Sequence, residues 1–126
     1  YQYSPATQVY LVAFATSSSG TQFGYQQFTS TTGLLRGGGV WNINQVVTNV
    51  TTGSNKIMFT TLGNTLTGIA NSGTLVSASG YTSSSVPTQL NIGSGNNSAA
   101  YVNTTIKKLS YFPARLSNEE LQEMTS

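Results

Sequence analysis

The chain has 126 residues with no His, no Cys and no Asp, and its three carboxylates, Glu119, Glu120 and Glu123, fall in one short stretch. Only 6 % of residues are charged, for a formal net charge of +2, against about a quarter in ordinary soluble domains. This argues against an enzyme and a metal centre, since both draw acids, His or Cys from separate parts of a fold. The five cations, Arg36, Lys56, Lys107, Lys108 and Arg115, are scattered, which argues against nucleic acid as a partner. No apolar run approaches the roughly 18 residues of a membrane span, so no membrane insertion is expected.

The length predicts one domain over 1–126. The abrupt start at Tyr1, with no Met, has two readings: the C-terminal part of a longer chain, or a chain trimmed of disordered ends. Seven Tyr, five Phe and one Trp supply burial that a disordered linker lacks.

Helical periodicity is almost absent before residue 116. Short β-prone runs recur between clusters of Gly, Ser, Asn and Thr, the signal for an antiparallel sandwich or barrel. The segment 8–15 is apolar on both faces and predicts a central strand. The segment 22–29 comes next, with Phe23, Tyr25 and Gln27 alternating against Gly24, Gln26 and Phe28. Gly37, Gly38 and Gly39 predict a loop or bulge, with Arg36 at a solvated loop tip.

Strands are predicted over 40–50 and 56–61, joined through Gly53. Gly63-Asn64 and Asn71-Ser72-Gly73 predict turns, with strands at 66–70 and 74–78. The segment 80–87 reads as a long polar loop. Leu90-Asn91-Ile92-Gly93 predicts a short strand with Leu90 and Ile92 inward. Asn96-Asn97-Ser98 reads as a turn before a last strand over 101–112, which stops at Pro113. Lys107 and Lys108 alternate faces there, one of them guarding an edge.

Ser117-Asn118-Glu119-Glu120 fits the Ser-x-x-Glu capping box and predicts a helix over 117–124. Leu116 and Leu121 flank it as a hydrophobic staple. The three Glu are read as helix start, where acids are favoured electrostatically. Sequons at Asn49, Asn96 and Asn103 carry no weight in a chain this rich in Asn, Ser and Thr.

Pro87-Thr88-Gln89-Leu90-Asn91-Ile92-Gly93, followed by Ile106-Lys107-Lys108-Leu109-Ser110-Tyr111-Phe112-Pro113-Ala114-Arg115-Leu116-Ser117, resembles the closing hairpin of concanavalin A-like lectin/glucanase (LamG-like) domains. It is similar above all to versions at the C-termini of bacteriophage tail-fibre and other virion proteins. Asn71-Ser72-Gly73 resembles the hairpin that precedes it. The likeness covers about residues 71–126.

The resemblance implies an all-β, antiparallel jelly-roll β-sandwich with a short C-terminal helix. Ile106 and Leu109 would anchor the core, and Arg115 would bind carbonyls at the corner. Catalytic members place several acids on the concave sheet, and this chain has none to place there. Members that bind sugar through calcium use Asp and Asn, and this chain has no Asp.

The expected function is that of a non-catalytic, extracellular module at a virion surface, without cofactor or metal, binding a host-surface glycan. The alternative is a purely structural virion protein that acts through protein contacts in capsid decoration or fibre assembly. Either is expected as a homo-oligomer, with a trimer favoured. Glycan sites on such sandwiches join an aromatic platform to amide and guanidinium groups, which nominates Trp41, Tyr81, Arg36, Tyr25, Asn42 and Gln27. Trp41 has two readings, core residue or exposed platform. Tyr81, in a Ser-rich loop, is the aromatic most expected to be exposed.

Overall fold

Runs of β-prone sequence between turn residues become antiparallel ladders. The computed structural model describes residues 9–15, 21–27, 33–37, 43–51, 53–80, 86–93 and 105–126, with backbone alone at 9–10, 21–27, 34–36 and 43–44. Among them the strands are β1 (Val9–Ala15), β2 (Thr21–Gln27), β3 (Gly33–Gly37), β4 (Ile43–Val47), β5 (Ile57–Leu62), β6 (Thr65–Ala70), β7 (Val76–Ser79) and β8 (Gln89–Ile92). One helix, α1 (Asn118–Met124), comes after them. All of these pairings are antiparallel. One sheet has the order β4-β3-β2-β1-β8 and the other β5-β6-β7. The chain lays down a meander, leaves it to build the second sheet, and returns as β8 beside β1. No helix among the described residues is long and apolar enough to cross a membrane.

The sheets meet across a shared core. Val47 and Val50, on and just after β4, pack with Leu66 and Ala70 of β6. Leu11, Ile57, Phe59, Val76 and Ala78 pack around them. Phe14 of β1 meets Phe59 of β5 edge-on, with ring centroids 6.4 Å apart, a favoured aromatic geometry. On β6, Leu66 and Ala70 belong to this core, and Thr67 and Ile69 take the alternate positions, also buried. Thr67 shares a hydrogen bond with Ser77 (2.9 Å) and Thr65 with Ser79 (3.3 Å). Both are directly opposed pairs on β6 and β7, so cross-strand hydroxyls add to the ladder.

Turn chemistry fixes both hairpins of the second sheet. Leu62 pairs with Thr65 across a two-residue loop, with positive φ at Gly63 (56°) but not at Asn64. That is the type II′ requirement, met by the residue with no Cβ. Between β6 and β7, Asn71 and Ser72 both have positive φ (46° and 53°), and the Gly73 N–H donates to the Ala70 carbonyl (2.8 Å). This is type I′ geometry, with the short polar side chain of Asn71 suited to it.

The capping box forms as predicted. Ser117 Oγ accepts the Glu120 N–H (3.2 Å), and Glu120 Oε2 accepts the Ser117 N–H (2.7 Å). Arg115 turns back to donate to the Leu116 carbonyl (3.0 Å) and to Asn118 Oδ1 (2.7 Å). Leu121 is buried, which docks α1 by one apolar side chain, and Leu116 is half-buried.

Several expectations need correction. Arg36 is not at a loop tip but inside β3, and Gly37 ends that strand. Glycine-flanked β3 forms because β2 and β4 supply ladders on both sides. Of the strand expected over 40–50, the described part, 43–50, is strand over β4 alone, and β7 begins two residues later than expected.

Leu90 and Ile92 are not inward: they are 42 % and 50 % exposed. Among the described residues the second sheet lies mainly against β4 and β3, through β7 and β6, and β8 sits at the opposite edge of the first sheet from β4. The described part of the expected last strand, 105–112, forms no ladder. Ile106 and Leu109, expected as core anchors, are 39 % and 46 % exposed. β-Propensity is a fit to a pleated, half-buried surface, and among the described residues this segment pairs with no strand. It touches β1 through Tyr111, whose ring centroid lies 6.4 Å from that of Phe14. Lys107 and Lys108 are both exposed on this irregular stretch. The expected Asn96-Asn97-Ser98 turn lies outside the described residues, as do 101–104.

Candidate functional site

Two places in the fold bear on a contact site. The first is the middle of the five-stranded sheet, where three of the nominated contact residues fall. Tyr25 lies in register between Val12 and Leu35, and Gln27 between Val9 and Gly33. Arg36 lies between Gly24 and Asn44. These positions share two adjacent strands, but Arg36 opposes Gly24 and so falls on the opposite face of the sheet from Tyr25 and Gln27; the three do not form one site. Trp41, Asn42 and Tyr81 lie outside the described residues, so the aromatic platform and its amide partner are not brought to Tyr25, Gln27 and Arg36 by anything described.

The second place was not nominated by sequence. It is an open depression of about 800 Å³. Thr48 and Asn49 reach it from the β4–β5 loop, Ser72, Gly73 and Thr74 from the β6–β7 turn, and Gln122 from α1. Leu75 adds an aliphatic surface. Among the described residues, no charged side chain lines it.

An amide network builds this wall. Asn71 Nδ2 donates to the Asn49 carbonyl (2.8 Å) and to Asn55 Oδ1 (2.8 Å), and Asn71 Oδ1 accepts the Lys56 N–H (2.8 Å). Asn49 Nδ2 returns a bond to the Asn71 carbonyl (2.7 Å). Asn55 in turn folds the loop on itself: it accepts the Thr51 N–H (2.7 Å) and donates to the carbonyls of Thr51 (2.9 Å) and Gly53 (3.1 Å). Reciprocal amide bonds of this kind fix two loops that are distant in sequence. Asn49 is held at φ 67°, a left-handed conformation that Asn tolerates better than most residues.

Gly73 is required by close approach rather than by its own φ. A Cβ there would meet Asn49 Cβ at 2.8 Å and the Ala70 carbonyl oxygen at 2.9 Å. The turn packs onto the β4–β5 loop only because no side chain intervenes. The end of α1 joins the same knot. Thr125, buried, accepts the Ser72 N–H (3.2 Å) and donates to the Leu121 carbonyl (3.0 Å). Lys56 Nζ donates to the Ser126 carbonyl oxygen. Gln122 is thereby held over the turn.

The carboxylates are elsewhere. Glu119 and Glu120 occupy the first turn of α1. The backbone N–H of Ser117, and then its hydroxyl, hold the Glu120 carboxyl below its ordinary value of 4.5. Glu120 is thus fully ionised at neutral pH and committed to the cap.

The depression was not legible in the sequence, because Thr48 and Asn49 read as part of one strand, Thr74 and Leu75 as the start of another, and the rest as a turn and a helix. No spacing links the three segments. The available signal was Asn71-Ser72-Gly73, which gave the turn but not what it packs against. Comparison with protein-family models, with curated proteins and with solved structures returns no match.

Proposed function

We propose that this chain is a non-catalytic jelly-roll β-sandwich module of the lectin/glucanase kind, displayed at a virion surface, that binds a host-surface glycan without cofactor. The observation that carries the reading is the neutral, hydroxyl- and amide-rich surface where the β4–β5 loop, the β6–β7 turn and α1 come together. Sugar hydroxyls are matched by neutral donors and acceptors that face solvent, and such contacts depend little on salt. Two antiparallel sheets sharing a core are compatible with the sandwich. A hydrolase would need two carboxylates flanking the scissile bond, whereas the three in this chain share α1 and one of them serves the cap.

The alternative, a structural virion protein, is favoured by a separate observation. Val86, Leu90 and Ile92 expose apolar surface near β8, and Ile106, Leu109 and Tyr111 do so along 105–112. Exposed apolar surface of that kind suits contacts between proteins, including copies in a homo-oligomer such as a trimer.

The test is binding of the 126-residue chain to host-envelope glycans at low and high salt. The glycan reading expects similar affinity at both. Absence of binding in monomeric and oligomeric forms favours the structural alternative, and steep loss with salt assigns a polyanionic ligand instead. Polysaccharide turnover that disappears in Glu119→Gln, Glu120→Gln or Glu123→Gln would contradict the non-catalytic assignment.

A further inference from the structure

We infer that the saccharide contacts are made in the depression between the β4–β5 loop, the β6–β7 turn and α1, with Gln122, Thr74 and Thr48 as hydrogen-bonding residues for a neutral, hydroxyl-rich ligand. The inference rests on the glycan-binding reading above and moves its site away from Arg36, Tyr25 and Gln27.

Three independent features converge here. The first is extent: the depression is open and shallow, about 800 Å³, which admits an extended saccharide without enclosing it. The second is unused capacity. Among the described residues, the hydroxyls of Thr48, Ser72 and Thr74 and the side-chain amide of Gln122 have no protein partner. They offer mixed donors and acceptors, which suits a ligand whose every hydroxyl both gives and takes a hydrogen bond. Leu75, half-buried, offers an apolar surface for the C–H face of a sugar ring.

The third feature is a rigid backbone. Among the described residues, the non-glycine positions with positive φ are Asn49, Asn71 and Ser72. All three belong to this wall, and such conformations persist only where the surroundings over-determine them. The amides of Asn49, Asn55 and Asn71 do that here. A wall fixed before binding loses little conformational entropy on binding. Gln122 is positioned the same way, one residue after buried Leu121 and three before buried Thr125, whose hydroxyl holds the Ser72 N–H. With no charged residue in the lining among the described residues, discrimination rests on hydroxyl geometry.

The test is calorimetric titration of the 126-residue chain with cellohexaose, maltohexaose and chitohexaose, beside Gln122→Ala, Thr74→Val and Arg36→Ala, with thermal melts of each. For the saccharide that binds wild type, Gln122→Ala and Thr74→Val should each weaken binding about three- to tenfold, as loss of one hydrogen bond does. Their melting temperatures should stay at the wild-type value, and Arg36→Ala should bind as wild type. Wild-type affinity in Gln122→Ala and Thr74→Val overturns the site assignment and leaves the glycan reading standing. No binding of any of these or of host-envelope glycans by wild type overturns both.

Discussion

Strands β6 and β8 carry the same kind of sequence. Each is short, and each sets Leu and Ile among small or polar residues. In β6, Leu66, Ile69 and Ala70 are wholly buried, whereas in β8 Leu90 and Ile92 are about half exposed. The difference lies in their neighbours. β6 has β5 and β7 on its two sides and β4 and β3 across the core. β8 has β1 on one side and sits at the far edge from β4. An apolar pair at strand spacing marks a possible face, and the element lying across it decides whether that face is core.

The largest effect expected from this contrast is in paired truncations. Leu66→Ala should cost about 2–5 kcal/mol through the cavity it leaves, and Leu90→Ala less than about 1 kcal/mol because its side chain already meets water. Denaturant melts of the two variants check this. Equal costs would mean that β8 is covered as well as β6 is.

A second variant tests whether β6 ends in a rigid knot. Gly73→Ala would drive its Cβ into Asn49 Cβ and the Ala70 carbonyl oxygen, and backbone there cannot yield cheaply. The expected cost is about 1–3 kcal/mol by the same melts. A neutral result would show that the β6–β7 turn is not packed on the β4–β5 loop.

Smaller effects are expected in the C-terminal segment, where the contrast recurs between α1 and 105–112. Ser117→Ala should cost about 1 kcal/mol by loss of the cap. Leu109→Ala should cost no more than that, since Leu109 is not the core anchor its spacing suggested. A cost for Leu109→Ala well above that of Ser117→Ala would place 105–112 in the core after all.

The smallest effect is in pH dependence. Glu120 is held below its ordinary value in the folded chain, so its contribution is complete above the unfolded value and is lost as pH falls through the folded one. Stability of wild type should therefore decline on acidification below about pH 4.5 more steeply than that of Glu120→Gln. Parallel pH profiles would mean that the carboxylate does not serve the cap.

Legibility in the sequence tracks how local the cause of each feature is. The cap at Ser117 and the turns at Gly63 and Asn71 were legible because each is decided within about four residues. The strand β3 was not, because Leu34, Leu35 and Arg36 between glycines have no pattern of their own and take their form from β2 and β4. The exposure of Ile106 and Leu109 was not legible either, since burial needs a partner that the segment does not encode. The depression was the least legible. Thr48, Thr74 and Gln122 are ordinary surface residues, brought together by Asn71, Gly73 and Thr125.

The measurement that tests the central claim most directly is amide chemical-shift mapping while a neutral hexasaccharide that binds the chain is titrated in. The account predicts shifts concentrated at Thr48, Asn49, Ser72 to Leu75 and Gln122, and unchanged by added salt. Shifts concentrated instead on β2 and β3 around Tyr25 and Arg36, with the depression silent, would contradict it.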